Sequence, residues 1–203
     1  MELNKMSTSD VILLKNVRLS FPHIFKAQAK NPGDTLKFSM QALIDPETKE
    51  GAAQIEMLQE KITELAVEKW GNKASTEKGL KKIVPPSKRC LRDHENDEKD
   101  YDSHEGMWYV AMSNSEDRPP KVLDQYKKPV TAADDVVYGG CYCHVTLTLW
   151  AQDNTYGQRI NANLRAVMFA GDGERFGGGV PVGDDEFDDV EAEEIDADDL
   201  LGE

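Results

Sequence analysis

The sequence predicts a mainly β fold: a small closed barrel of about five strands with one amphipathic helix and inserted loops, then an acidic C-terminal tail. Three observations predict it. Three stretches alternate apolar and polar residues, the pattern of strands with one buried face, a fourth is apolar on both faces, and a fifth is rich in Val, Ile and Leu. One stretch only, residues 51–70, carries the helical period. The charge is also lopsided. The 203-residue chain has a net charge of −14, yet 12 of its 38 acidic residues lie between Gly183 and Glu203, where there is no Lys or Arg. Residues 1–182 therefore hold 26 acidic against 24 basic residues, a net of −2. Local sign, not the total, governs contact with a phosphate backbone.

Residues 11–20 (VILLKNVRLS) read as the first strand. Pro22 blocks regular pairing, so 21–25 form an irregular aromatic corner. In 35–44, Leu36, Phe38, Met40, Ala42 and Ile44 share a face, and Asp45-Pro46 ends the strand. In the helix, Ile55, Leu58, Ile62, Leu65 and Ala66 form a stripe that suits core packing, and Gly71 is its natural stop. Residues 73–92 hold seven Lys or Arg against one acid, with Pro85-Pro86 keeping the middle extended. Residues 93–105 reverse the sign with seven acids and read as a mobile polar loop. Three strands follow. Residues 106–113 place Trp108, Val110 and Met112 opposite Met107, Tyr109 and Ala111. Residues 141–150 turn Cys141, Cys143, Val145, Leu147 and Leu149 inward, and 160–170 turn Ile160, Ala162, Leu164, Ala166 and Met168 inward with Phe169 outward. Asp153-Asn154 and Gly157 mark a hairpin between the last two. Five strands and a helix are the inventory of a small barrel such as the OB-fold.

These elements set a domain plan: a flexible N-terminus over 1–10, an OB-like domain over 11–172, a glycine-rich linker over 173–183 and a disordered acidic tail over 184–203. No stretch approaches the roughly 20 apolar residues that span a membrane. The start, MELNKMSTSD, lacks the basic and apolar regions of a signal peptide. Three cysteines do not make a disulfide framework. The expected setting is soluble, reducing and cytoplasmic.

Most catalytic signatures are missing. There is no GxSxG, no GxxxxGK[ST] and no GxGxxG. Asp93, Glu95 and Asp97 suggest a calcium loop, but Glu98 stands where its sharp-turn glycine belongs. Cys141 and Cys143, with Cys90, His94 and His104 in reach, suggest zinc. Two cysteines two apart on an apolar strand face read instead as buried thiols, so no metal and no cofactor is expected. A two-metal nuclease needs acids converging on a rigid pocket. Here they fall in the 93–105 loop and the tail, so a metal-dependent nuclease or recombination accessory enzyme is the alternative reading.

What remains is cations interleaved with rings. Sequence-independent single-strand binding needs a positive groove for the backbone and flat rings for the bases. The candidate rings are Phe21, Phe25, Trp108, Tyr109, Tyr126, Tyr142, Trp150 and Tyr156. The candidate cations are Lys37, Lys81, Lys82, Lys88, Arg89, Arg118, Lys121, Arg159 and Arg165. Each ring alone is as easily core as platform, and a Lys-rich loop is often just solvated.

The stretches RLSFPHIFKA (18–27), KFSMQALIDP (37–46), MWYVAMSNSEDRPPKVLD (107–124) and VYGGCYCHVTLTLWAQDNTYGQRINANLRAVMFAGDGERFGGG (137–179) resemble a phage family of single-stranded DNA-binding proteins with an OB-fold. The likeness spans about residues 11–180. In function and acidic tail the chain is also similar to the T7-type phage binding protein. The resemblance implies a non-enzymatic binder of single-stranded DNA in phage replication, recombination or repair, working in the host cytoplasm and possessing no membrane role. The tail would compete with DNA or recruit replication and recombination proteins through Asp184, Asp185, Glu186, Phe187, Asp188, Asp189, Glu193, Glu194, Asp196, Asp198 and Asp199. Such tails often end in an aromatic residue. This one ends Leu200-Leu201-Gly202-Glu203, with Phe187 well inside.

Overall fold

A computed structural model of the chain describes residues 10–96 and 101–177. The expected N-terminal arm up to Ser9, residues 178–183 of the linker and the whole acidic tail lie outside the described residues. Among the described residues, seven strands form one sheet. They are β1 (Ile12–Gln28), β2 (Lys37–Ile44), β3 (Leu91–Asp93), β4 (Trp108–Ser115), β5 (Lys121–Leu123), β6 (Tyr142–Asn154) and β7 (Gly157–Gly171). Their spatial order is β3-β4-β2-β1-β6-β7-β5. All neighbours are antiparallel except β5 and β7. The sheet curls until its β4 side returns to β7: the Cys90 N–H donates to the Ile160 carbonyl at 2.8 Å, and the Asn114 amide reaches the Leu164 carbonyl. The five long strands are the five read from the sequence. β3 and β5 have three residues each, too few to show a period of two.

Two α-helices accompany the sheet among the described residues. In α1 (Lys49–Trp70), the Thr48 hydroxyl caps the start by accepting from Gly51 N, and Gly71 (φ 80) stops the end. Its stripe of Ile55, Leu58, Ile62 and Leu65 is buried as expected. These side chains share one core with Leu14, Leu19, Met40, Ile44, Val145, Leu147 and Leu164. The second helix, α2 (Glu77–Ile83), lies in the basic stretch, where the sequence showed no helical period. Thr76 caps it through Gly79 N, and the extended backbone is confined to Val84 and Pro85 before a 3-10 turn over Pro86–Lys88. No helix among the described residues is long and apolar enough to cross a membrane.

Three irregularities decide which side chains face outward. In β1 the register slips between Leu14 and Val17, with Asn16 at φ 51, and again between Ser20 and His23, with Phe21 at φ 47. Pro22 thus stays in the strand by occupying a bulge, where a missing N–H costs no ladder bond. In β7 the pairing passes from Leu164 opposite Leu147 to Ala166 opposite Thr146, skipping Arg165. A one-residue slip exchanges the two faces. Val167 and Phe169 are therefore buried, while Ala166 and Met168 are half-buried. This corrects the expected inward Ala166 and Met168 and outward Phe169.

The chain after β7 also departs from the linker reading. Phe176 N–H donates to Gly139 at 2.9 Å, Gly173 N–H to Tyr138 Oη at 3.2 Å, and Arg18 Nη2 to the Glu174 carbonyl at 2.9 Å. Arg18 lies 4.4 Å from the Phe176 ring centroid. Gly140 (φ 104) permits the close approach, since a Cβ there would meet the Glu174 oxygen at 1.9 Å.

Candidate nucleic-acid interface

A groove of about 2600 Å³ runs along β2 and β4. Its floor follows from strand alternation. Lys37, Ser39 and Gln41 of β2 pair with Ser115, Ser113 and Ala111 of β4, and their side chains point away from the core, to which Phe38, Met40 and Ala42 turn. Around this floor stand Lys81, Lys88, Arg89 and Arg92 on one side, Tyr156 and Arg159 of the β6–β7 hairpin, and Phe21 at the β1 bulge. The outer face of α1 contributes Glu56, Glu60 and Glu64, of which Glu64 pairs with Lys61 at 2.8 Å.

Nine of the sequence-derived candidates line the groove: Phe21, Lys37, Lys81, Lys88, Arg89, Trp108, Tyr109, Tyr156 and Arg159. Eight do not: Phe25, Lys82, Arg118, Lys121, Tyr126, Tyr142, Trp150 and Arg165. Phe25 packs on the core, and the Trp150 Nε1 is buried with no hydrogen-bond partner among the described residues. Tyr142 holds Arg18 5.6 Å from its ring. Arg118, Lys121, Tyr126 and Arg165 are exposed elsewhere on the barrel.

Two groove residues are less available than their types suggest. Tyr109 is 3% exposed, so only its edge reaches the groove, where Arg92 Nη1 donates to its hydroxyl at 3.4 Å. Arg89 was expected to be a free loop cation. Its side chain is 11% exposed, its Nη1 bonds both Glu77 oxygens at 3.0 and 3.1 Å, and its Nε donates to the Val84 carbonyl at 2.9 Å. Arg89 therefore ties α2 to the turn that follows it. Lys81 and Lys88 are exposed and carry no ion pair among the described residues.

Sequence reasoning missed a ring cluster. His94 and His104 are buried, and Tyr101 is half-buried, in the stretch read as a mobile polar loop. His104 Nε2 lies 2.8 Å from the Gln41 amide oxygen of β2, and its ring backs Phe21 at 5.6 Å with an interplanar angle of 27°. Tyr101 meets Phe21 edge-on at 5.0 Å, and its N–H donates to His94 Nε2 at 3.4 Å. The Phe21 ring remains 41% exposed. It is thus supported from behind and open to the groove. The only sequence signal was one Tyr and two His among the acids, which composition cannot separate from solvated loop.

The cysteines are free and buried, as expected. Burial pushes the Cys90 thiol up to about 12. Cys141 and Cys143 Sγ atoms lie 3.5 Å apart, and that bond, with burial, pushes Cys143 up as well. The described residues contain no group of three or more His, Cys, Asp or Glu placed to hold a metal ion.

A family model described as Enterobacter phage Enc34, ssDNA-binding protein, matches residues 10–201. The chain belongs to the Enc34 phage ssDNA-binding protein family. The Enc34 match takes in the barrel, the docked glycine-rich segment and nearly all of the tail. Protein p50 of Acyrthosiphon pisum secondary endosymbiont phage 1 is 37% identical over 180 residues, covering 88% of this chain and 93% of that protein. The single-stranded DNA-binding protein from bacteriophage Enc34, solved in complex with ssDNA, is 27% identical with a TM-score of 0.69, covering 86% of this chain and 100% of that one. The bacteriophage T7 protein gp2.5 is 18% identical with a TM-score of 0.46, covering 94% and 96%. At that distance it adds nothing to the reading of the groove, which rests on the Enc34 likeness and on the geometry.

Proposed function

We propose that this protein is a non-enzymatic, sequence-independent binder of single-stranded DNA, serving phage replication, recombination or repair in the host bacterial cytoplasm. The carrying observation is the groove of rings and cations along β2 and β4, in a chain whose Enc34 relative was solved with ssDNA. Phe21 and Tyr156 supply faces on which bases stack, each stack worth about 1–3 kcal/mol, while Trp108, paired with Ile44 on the core face, packs inward. Lys37, Lys81, Lys88, Arg92 and Arg159 neutralise phosphates and release counterions. Neither contact reads a base edge, so any sequence is accepted. Tyr109 and Arg89 act behind the surface, holding Arg92 and α2 in place. The acidic tail is a tethered polyanion that competes with DNA for these cations and, once displaced, is free for partner proteins. No observation favours the nuclease alternative.

The test incubates a labelled single strand with the protein and magnesium or manganese. Retarded, intact strands at affinities that fall steeply with salt are expected. Shortened strands would mark an enzyme, and affinity indifferent to salt would remove the phosphate contacts.

A further inference from the structure

We propose a second strand-contact surface, centred on Tyr126 at the β5 edge of the sheet, that holds single-stranded DNA after it leaves the groove. It rests on the function proposed above and extends its site. β5 pairs in parallel with β7, Lys121 opposite Ala166, which sets Lys121 beside Arg165. The chain then reverses in a built turn. Asp124 Oδ1 accepts from the N–H groups of Tyr126 and Lys128, each at 2.8 Å, and the Asp124 N–H donates to the Lys128 carbonyl at 2.9 Å. The one carboxylate in the turn is thereby engaged with backbone. The turn presents Tyr126 with 73% of its surface in water, followed by exposed Lys127 and Lys128.

Lys121, Lys127, Lys128 and Arg165 make no ion pair among the described residues. A flat ring presented to solvent by a hydrogen-bonded turn, among cations without ion pairs among the described residues, has the two parts that single-strand binding needs. An aromatic left so far out in water forgoes burial that its size would otherwise reward. None of these residues lines the groove. A path nevertheless joins the two surfaces. Lys37, at one end of the groove, pairs with Ser115, and the Arg118 N–H bonds the Ser115 carbonyl at 3.0 Å. The neighbouring Asn114 amide reaches Leu164, next to Arg165. Lys37, Arg118 and Arg165 thus mark the way round the barrel. On that path the Asp117 carboxylate is held by the Ser115 hydroxyl and faces Arg118 at 3.8 Å.

The test compares the full chain with a Lys121→Gln, Tyr126→Ala, Lys128→Gln variant on two oligo-dT strands, one of about eight nucleotides that fills the groove and one of about thirty. Wild type is expected to bind the long strand more tightly. The variant should match it on the short strand and lose tenfold or more of the affinity on the long one. Its long-strand salt slope should fall by about 0.7 for each cation removed. Tyr126→Phe, which keeps the ring, should behave as wild type on both. Equal long-to-short ratios and equal slopes in wild type and variant would overturn the proposal. Failure of wild type to bind the short strand would instead show that the groove reading is wrong, and this surface would fall with it.

Discussion

Phe21 combines two features that rarely meet in an ordinary strand residue. Its backbone sits at φ 47, a region that costs a bulky residue roughly 1–3 kcal/mol, and its ring is 41% exposed over the groove. His104, fixed to β2 through Gln41, backs the ring. The strain is thus borne to aim an aromatic face outward. Phe21→Ala is expected to weaken single-strand binding by about 1–3 kcal/mol, roughly 5- to 150-fold, with little change in melting temperature, while Phe21→Trp retains binding. Normal affinity in the alanine variant would reduce Phe21 to a cover for His104. At this same scale the sequence was only half legible. Residue types that bind single strands were visible, and nine of seventeen reached the groove. Which face each occupies depends on bulges at Asn16, Phe21 and Arg165 that leave no mark in a period-two pattern. Arg89 shows the other limit, since nothing in its neighbours announces that Glu77, twelve positions earlier, will claim it.

At the scale of elements, legibility followed length. The long strands and α1 carry enough residues for a period to stand out. α2 has seven residues beside two prolines, and β3 and β5 have three each. Composition therefore spoke louder than pattern, and α2 left no helical period to read. Its discovery changes what a charge-removal experiment means. Lys81→Ala, Lys82→Ala and Lys88→Ala together should leave the melting temperature nearly unchanged and flatten the salt dependence of binding by about 0.7 per groove cation. Arg89→Ala should lower the melting temperature by several degrees, through loss of about 1–3 kcal/mol of hydrogen bonding, before binding is considered. If the lysine variant unfolds and the arginine variant does not, the assignment of roles within this segment is inverted. α1 makes a further contribution, because its Glu56 and Glu60 also line the groove. On the function proposed above, these carboxylates would repel a phosphate backbone that enters the groove. Glu56→Gln with Glu60→Gln is expected to tighten binding at low salt and much less at high salt, where screening shortens the range of the carboxylates. Affinity unchanged at low salt in a titration would mean that the strand runs clear of α1.

For the whole molecule the governing quantity is the division of charge. The chain carries −14, yet the first 182 residues carry −2 and the last 21 carry 12 carboxylates without a cation. Among the described residues, the chain ahead of that segment docks on the barrel over 173–177, through Gly139, Gly140 and Tyr138. A polyanion tethered to the body has an effective concentration near it of about millimolar order, and on the function proposed above the groove cations would attract it as they attract phosphate. Deleting residues 183–203 is therefore expected to tighten single-strand binding, most at low salt and less where screening has already weakened the tail. The competing account gives the tail only a solubilising role through net charge. The two separate cleanly when full-length and truncated protein are titrated against one oligonucleotide at two salt concentrations. A gain that shrinks as salt rises is the mark of competition for the groove. Equal affinities at low salt would leave the tail with solubility alone. Weaker binding by the truncated form would contradict the proposal outright, because twelve like charges cannot help to hold a strand of the same sign.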